Sequence, residues 1–377
     1  MLNYFHNYQV DKLDILRPDL ANFSIICLFM FIIMCSMTKR RCYKQQMILD
    51  TNHTQHLKGI AIFFVFVGHL WVHVSQTKPF LVFSGEAVSL FLLLSGFGLS
   101  MSTKGKKLRC STFFKKRIKR VMVPYWIITI VVLFLDYILL KRAYAVDDIV
   151  LTFLGINLTI DLSHIDYVRW FVTFILLWYL LFYIFNYLTC QNHTAFILLG
   201  ISHFLLPVNY YILHLEWYQF IAFPVGCLLA AYYNKIQIIY KNNRVISVYA
   251  ATVTLLCILF YKYCMGHEEL FNKVYGAIPN ILLVYFAEVN GIFLCVALAV
   301  LVLRVLETGF HFNILLLLGK YSYEIFLLHG VFLIKYDPFI VSGGTFSTVV
   351  GFSILFIFVC TISTILSDSL QVIDERL

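Results

Sequence analysis

Lys58 and His69 are spaced so that one face of a helix would carry both side chains. Eleven steps of about 100° overshoot three full turns by only about 20°, and they separate the two residues by about 16 Å along the axis. An ammonium group attracts anions, and an imidazole can act as a general base or as a nucleophile near neutral pH. His69 could instead hydrogen-bond to a neighbouring helix, and the spacing leaves both roles open. His73 lies one turn later, but without a third ligand or a glutamate beside His69 we predict no metal site.

A second group of cationic side chains precedes another apolar segment. Nine basic residues lie between Lys104 and Arg120, and Arg117 and Arg120 would be neighbours on a helix, three positions apart. Two guanidinium groups could bind the phosphates of a soluble anionic ligand through paired donors. The same charge density would also suit an anchor to anionic lipid, and the two roles are about equally consistent with the sequence.

Five further polar residues fall within apolar stretches and are candidates for supporting roles: Glu86, Ser95, Glu288, Tyr323 and His329. An ionisable side chain inside a membrane is costly, which makes it a functional candidate by default. Ser95 would lie about 13 Å from Glu86 along their helix, level with His69, and helix packing is its favoured role. Glu288 needs a partner, which could be a functional group or a neighbouring helix.

Two other patterns indicate structure more than chemistry. Gly96 and Gly98 are small residues of the kind that allow helices to approach closely or to bend. Arg169 followed by Trp170 and Phe171 is typical of an anchor at the membrane interface, with the arginine at the outer boundary.

The composition requires these residues to be held by elements that face lipid. Of 377 residues, 61% are hydrophobic and only 13% are charged, compared with about 25% charged in ordinary soluble domains. A soluble enzyme, a secreted disulfide-stabilised domain and a disordered protein are therefore excluded. The long apolar runs do not alternate as outer-membrane strands would. We predict an all-α, polytopic transmembrane helical bundle with about eleven spans of about 20 residues each: 21–38, 58–76, 80–101, 122–140, 170–189, 195–211, 217–233, 245–263, 277–303, 312–333 and 346–367.

The distribution of positive charge predicts the orientation of these spans. With the N-terminus outside, 19 of the 29 lysine and arginine residues fall in inner segments. The positive-inside rule therefore places the N-terminus outside and the C-terminus in the cytoplasm of a multi-pass protein of the plasma (inner) membrane. Most of the ten cysteines fall in predicted spans or cytoplasmic segments, including Cys42, Cys110 and Cys190, and only Cys264 falls in an outer loop. We therefore predict no disulfide framework.

Several motifs, taken in order, resemble one family of membrane proteins. They are Lys58 and His69 with ten residues between them, then Leu94–Phe97, then Phe114–Arg120 with Pro124–Tyr125. Later motifs are Trp170–Phe171, Phe223–Gly226, Gly319–Tyr323 and Leu327–His329. Across residues 55–367 this order is similar to that of the membrane-bound acyltransferase 3 family of integral membrane O-acyltransferases.

The resemblance implies a ten-helix bundle that transfers an acyl group, usually acetyl, from cytoplasmic acyl-CoA to a hydroxyl of a saccharide or lipid-linked glycan at or beyond the outer leaflet. Acyl-CoA would be a substrate, with no permanently bound cofactor. The family's basic-x10-His motif maps onto Lys58 and His69, and its paired arginines map onto Arg117 and Arg120. Lys58 is a departure, because many members carry an arginine there, and a lysine makes only a point-charge contact.

The same resemblance divides the chain into two parts. Residues 1–54 would hold an extra transmembrane helix, 21–38, and a basic cytoplasmic loop, and residues 55–377 would hold the acyltransferase-like bundle. The extra helix has no role that the sequence indicates.

On this hypothesis Lys58, Arg117 and Arg120 bind the phosphates of the donor, and His69 is the catalytic residue. His69 would act as general base on the acceptor hydroxyl, or alternatively would carry the acyl group covalently. Glu86, Ser95, Glu288, Tyr323 and His329 would line the acceptor side or support the site. We expect acyl-CoA, a glycan acceptor and membrane lipid as partners, and no nucleic acid. The sequence leaves open the acceptor, the acyl chain and the oligomeric state.

Two other classes of function remain open. A multi-span transporter or flippase for a glycan or anionic solute would also place a histidine and a buried glutamate within the membrane. A membrane scaffold would use the same polar residues only for packing.

Overall fold

The computed structural model describes residues 12–39, 47–106, 109–157, 165, 168–189, 191–215, 218–267, 279–340 and 343–376, with no side-chain description at residues 191 and 370–376. Its α-helices are α1 (Pro18–Cys35), α2 (Thr51–His69), α3 (Ser84–Thr103), α4 (Cys110–Arg117), α5 (Val123–Leu139), α6 (Val146–Phe153), α7 (Trp170–Leu188), α8 (Gln191–Val208), α9 (Ala222–Ala231), α10 (Tyr233–Asn242), α11 (Arg244–Met265), α12 (Asn280–Glu307), α13 (Asn313–Lys320), α14 (Ser322–Gly330) and α15 (Thr345–Arg376). Two three-residue strands, β1 (Met37–Lys39) and β2 (Phe310–Phe312), pair antiparallel. Four π-helical turns follow α2, α4, α8 and α14 directly: Leu70–Val74, Ile118–Met122, Asn209–Leu213 and Val331–Lys335.

The helices confirm the predicted all-α, polytopic membrane architecture. Within the described ranges, nine helices are long and apolar enough to cross a membrane, and the pair α13 and α14 makes a tenth if it counts as one span bent by 68°. Large apolar side chains such as Phe31, Phe134 and Phe346 are more than half exposed, as lipid-facing residues would be.

The predicted span 217–233 contains only the ten-residue helix α9. At 1.5 Å per residue α9 is about 15 Å long, half the thickness of a bilayer core, so it does not cross by itself. Its position is set by contact with α3, because a Cβ on Gly96 would lie 2.2 Å from the Phe223 carbonyl oxygen, and one on Gly226 would lie 2.1 Å from that of Leu93. Only glycine allows the two backbones to pack this closely. The second glycine of the predicted pair, Gly98, has open space where a Cβ would lie.

The N-terminal helix packs against the bundle through buried polar contacts as well as apolar ones. The Asn22 side chain accepts a hydrogen bond from Trp71 Nε1 at 2.9 Å and donates one to the Leu81 carbonyl oxygen at 2.7 Å. Just before α1, Leu13 forms a parallel β-bridge with Ser75. The segment that precedes and begins α1 therefore stabilises the π-helical turn that follows His69.

Some predicted features lie outside the described residues. They are the basic residues Arg40, Arg41, Lys44 and Lys107, the cysteines Cys42 and Cys190, and the edges of spans 217–233 and 277–303 at 217 and 277–278.

Candidate active site

The last turns of α2 and α14 bring two histidines into direct contact. The Nδ1 atom of His69 lies 2.8 Å from the Nε2 atom of His329, and the two rings stack with their centroids 4.8 Å apart. The Nδ1 atom of His329 lies 2.6 Å from the Phe326 carbonyl oxygen. These residues are separated by 260 positions in the chain, so only the fold reveals that they form a pair.

The hydrogen bonds of this pair assign a tautomer to each neutral ring. A carbonyl oxygen can only accept, so His329 Nδ1 carries the proton that it donates to Phe326. In a neutral His329, Nε2 is then the acceptor, and His69 Nδ1 donates to it. The second nitrogen of His69, Nε2, is left with a lone pair, which is the form that a general base or a nucleophile requires.

A π-helical turn begins directly after or one residue after each histidine. Leu70–Val74 follows His69, Val331–Lys335 follows Gly330, and the two turns contact each other. His329 is buried, whereas His69 and His73 retain partial access. Such single π turns are frequent at functional sites because they change the direction of side chains along a helix.

A cavity of about 640 Å³ opens between α2, α3, α4, α7 and the α13–α14 bend. Its lining includes the three predicted donor-binding cations Lys58, Arg117 and Arg120 together with Lys320, which the sequence analysis did not select. We call it the basic cavity, and the end of the bundle that holds it the basic end. Its volume falls in the range typical of small-molecule sites, about 300–1,000 Å³.

Aromatic rings hold the Arg117 side chain inside the basic cavity. Its guanidinium carbon lies 5.2 Å from the Phe113 ring centroid and 5.4 Å from that of Tyr179. The Tyr179 hydroxyl lies 2.9 Å from Ser95 Oγ, so the serine makes a hydrogen bond at the cavity wall. The Tyr323 hydroxyl, also at this wall, donates to the Val121 carbonyl oxygen at 2.8 Å.

The basic cavity extends towards the histidine pair. Phe326 lines the cavity, and its ring centroid lies 5.4 Å from that of His329. His69 is not among the residues that line the cavity, so it lies beyond this wall. Because Lys58 and His69 share α2, about 16 Å of helix separates the cationic part of the cavity from the imidazole.

Glu86 and Glu288 lie on helices that the histidine pair does not use. Glu86 Oε1 forms an ion pair with Lys262 of α11, whose ammonium also donates to the Val82 carbonyl oxygen at 3.0 Å. Glu288 Oε2 accepts a hydrogen bond at 3.0 Å from the Ile221 amide, immediately before α9. Neither carboxylate lines the basic cavity. Glu288 therefore acts as a carboxylate at a helix N-terminus, where its negative charge interacts favourably with backbone amides that have no partner within the helix.

The Arg169 side chain does not face the membrane interface as the arginine of an anchor would, because it is buried inside the bundle. It is only 1% exposed, its Nη1 donates to Thr129 Oγ1 at 2.5 Å, and its guanidinium lies 5.0 Å from the Tyr125 ring centroid. The turn before α7 folds inwards, where the Asn157 side chain donates to the Arg169 carbonyl oxygen at 3.5 Å. An arginine next to a tryptophan is the usual sign of an anchor, and nothing in the local sequence distinguishes this one.

A second buried charge, Asp136, also had no signal in the sequence beyond its position in a span. It is fully buried and lies 2.7 Å from Lys335 Nζ, and it accepts hydrogen bonds at 2.5 Å from the hydroxyls of Tyr144 and Tyr336. Burial, followed by the hydrogen bond to Asp136, raises the pKa of both phenols well above the usual value, so they remain donors. This cluster joins the end of α5 to the chain after α14.

In the part of the chain that the structure describes, no group of three or more histidine, cysteine, aspartate or glutamate side chains could hold a metal ion. Among the described residues, the histidine pair offers a group for acid–base or nucleophilic chemistry, and the cations of the basic cavity offer groups for anion binding.

A membrane-spanning helical bundle with a cationic cavity next to a hydrogen-bonded pair of histidines is consistent with the class of membrane enzymes. Comparison with protein families agrees with this class: the model of the acyltransferase 3 family, described as an acyltransferase domain, matches residues 55–368. The chain belongs to this family, and it is a multi-pass membrane acyltransferase. Neither the curated proteins nor the solved structures gave a match.

Proposed function

We propose that this protein is an O-acyltransferase that moves an acyl group, most simply acetyl, from acyl-CoA to a hydroxyl of a cell-surface or lipid-linked saccharide. The observation that carries the proposal is the arrangement along α2. Lys58 lies in a cavity with two arginines, and His69 lies about 16 Å further along the helix. The hydrogen bond from His69 Nδ1 to His329 fixes the tautomer in which His69 Nε2 carries a lone pair. An extended pantetheine arm can span this separation while its phosphates stay among the cations.

In this mechanism the basic cavity binds the nucleotide part of the donor. Arg117 and Arg120 donate to the phosphates, and Lys58 supplies a point charge. The thioester then reaches the histidine pair past Phe326. His69 Nε2 accepts the proton of the acceptor hydroxyl, the hydroxyl oxygen attacks the thioester carbonyl carbon, and the carbon–sulfur bond breaks. The departing thiolate takes the proton from His69, so the imidazole is regenerated.

A covalent route uses the same atoms in a different order. His69 Nε2 attacks the thioester carbon, the carbon–sulfur bond breaks, and the CoA thiolate leaves an acyl-imidazolium. The acceptor hydroxyl oxygen then attacks the acyl carbon, the carbon–nitrogen bond breaks, and the hydroxyl proton passes to the thiolate, so that neutral His69 is regenerated. In both routes the hydrogen bond from His69 Nδ1 to His329 keeps Nε2 directed at the reacting carbon.

The direction of transfer follows from the orientation that we propose, in which the basic end faces the cytoplasm of the plasma membrane, the N-terminus lies outside and the C-terminus inside. The excess of lysine and arginine at this end supports it. Cys110, an exposed residue at the start of α4, provides the test. In a variant with Cys110 as its single cysteine, a membrane-impermeant maleimide should label it in inverted vesicles and not in intact cells. The opposite labelling would contradict the orientation.

The reaction itself is tested with purified protein in nanodiscs, radiolabelled acetyl-CoA and extracted lipid-linked glycans. The His69→Ala variant should lose transfer to glycan, whereas the matched control His203→Ala, at an exposed histidine on α8, should retain it. Transfer at the wild-type rate by His69→Ala would refute the catalytic role. A wild-type protein that moved a glycan or anionic solute across vesicles without acylating it would instead support the transporter alternative.

A further inference from the structure

Lys320 lies at the rim of the basic cavity, at the C-terminal end of α13 where the chain bends by 68° into α14. Its backbone position is set by α2, because a Cβ on the preceding Gly319 would lie only 1.9 Å from the Gln55 carbonyl oxygen. The lysine side chain itself remains 46% exposed. A side chain whose backbone is fixed at the wall and whose tip is partly exposed can therefore reach either into the cavity or away from it.

The Lys320 ammonium points to a carboxylate outside the cavity lining. Its Nζ atom lies 3.6 Å from Asp368 Oδ1 on α15, and both groups bond the Tyr321 hydroxyl, at 2.7 Å from Lys320 Nζ and 2.9 Å from Asp368 Oδ1. The Asp368 side chain is 58% exposed. An ion pair this exposed and this long contributes little to stability, so a stronger anion can displace it.

We propose that Lys320 is a fourth cation of the donor site and that Asp368 competes with the donor phosphates for it. This inference rests on the proposed function, in which the ligand of the basic cavity is acyl-CoA. In the free protein Lys320 pairs with Asp368. When a polyphosphate ligand enters, the ammonium turns from the carboxylate to a phosphate, and the Lys320–Asp368 pair opens.

The charges around the cavity support this competition. Three cations, Lys58, Arg117 and Arg120, line it together with Lys320. Two carboxylates also line it, of which Asp50 is already engaged at the start of α2 by the His53 amide at 2.9 Å and Glu324 lies one turn after Lys320. A ligand with a diphosphate and a further phosphate carries more negative charge than three cations neutralise, and among the described lining residues Lys320 is the remaining cation.

The test uses two substitutions for which competition predicts opposite effects. In purified protein in nanodiscs at low salt, Lys320→Gln should weaken the equilibrium binding of CoA by about three- to tenfold, and Asp368→Asn should strengthen it by a similar factor. CoA without an acyl group is the probe, so no turnover occurs. In the double variant Lys320→Gln with Asp368→Asn, affinity should equal that of Lys320→Gln alone, because Asp368 acts only through the lysine.

Controls separate binding from charge and from folding. Lys235→Gln removes the same charge from an exposed lysine on α10 and should leave CoA affinity unchanged. Pantetheine lacks the nucleotide and its phosphates, so its affinity should be the same for all variants. If Lys320→Gln unfolds, Asp368→Asn alone still decides, because tighter CoA binding supports the proposal and unchanged or weaker binding overturns it. A loss of affinity in both single variants would mean that the ion pair is only structural. Absence of CoA binding by the wild-type protein would instead overturn the proposed donor itself.

Discussion

Replacing His329 tests whether the hydrogen bond between the two histidines sets up catalysis. In His329→Phe the ring remains similar in shape, but the acceptor of the His69 Nδ1 proton is lost, together with the bond to the Phe326 carbonyl oxygen. His69 can then adopt the other tautomer, with its proton on Nε2. In that tautomer Nε2 has no lone pair with which to act as base or nucleophile. In His329→Gln the side-chain oxygen can still accept from His69.

The size of the effect follows from the kind of bond that is removed. In a Ser-His-Asp triad the orienting group is a carboxylate, and its loss costs about 10⁴-fold in kcat. Here the orienting group is a neutral imidazole at 2.8 Å, and leaving a buried donor without its partner costs about 1–3 kcal/mol. We therefore expect kcat to fall by about 5- to 150-fold in His329→Phe.

The assay is acyl transfer at varied acyl-CoA concentration, so that kcat and KM are separated. His329→Phe should lower kcat and leave KM for acyl-CoA near the wild-type value, because His329 does not line the basic cavity. His329→Gln should recover most of the lost kcat. The reasoning would be refuted if His329→Phe kept its kcat within twofold of wild type, or if both variants fell equally.

Three further substitutions address other parts of the structure. Arg117→Lys should raise Kd for CoA by about 5- to 30-fold, because an ammonium lacks the paired donors of the guanidinium and its planar contacts with aromatic rings, here Phe113 and Tyr179. Unchanged CoA affinity by equilibrium binding would exclude a contact with phosphate. Asp136→Asn should lower the free energy of unfolding by about 3–5 kcal/mol, because it leaves the Lys335 charge buried without its carboxylate, and a denaturant titration that shows less than 1 kcal/mol would contradict the buried pair. Asn22→Leu should cost about 1–3 kcal/mol by leaving Trp71 Nε1 without its acceptor; unaltered thermal stability would show that α1 is held by apolar packing alone.

The spans could be predicted because lipid imposes a length and an apolarity that a sequence displays directly. Each of the eleven predicted spans contains helix in the structure, and two of them differ in form. The residues of 217–233 are apolar enough to span a membrane. However, Glu288, which is distant in the chain, accepts a hydrogen bond from the Ile221 amide just before α9, and Gly96 allows α9 to pack closely against α3. The segment 312–333 is equally apolar, and its hydropathy does not predict the 68° bend at Tyr321.

The sequence predicted only the part of the candidate active site that lies on a single helix. The helical period placed Lys58 and His69 on one face of α2 from their spacing alone. The pairing of His69 with His329 joins two helices that the chain order does not relate, and no local pattern gives it. Arg169 shows the opposite error: its neighbours resemble an interfacial anchor, but the turn before α7 folds into the bundle and buries the guanidinium against Tyr125.

The irregular turns of the helices account for much of what sequence reasoning could not supply. Three of the four π-helical turns begin within two residues of His69, Arg117 or His329. A π turn adds a residue to the helical repeat, so side chains before and after it leave the helix in directions that the regular period does not predict. The turn after Arg117 also presents the Val121 carbonyl oxygen to the Tyr323 hydroxyl, which ties α14 to the cationic wall at 2.8 Å. Since α14 also carries His329, this contact connects the walls of the basic cavity to the group that orients His69. In the proposed function, donor binding and the position of the His69 lone pair therefore depend on the same helix, and a ligand that shifted α14 would alter both.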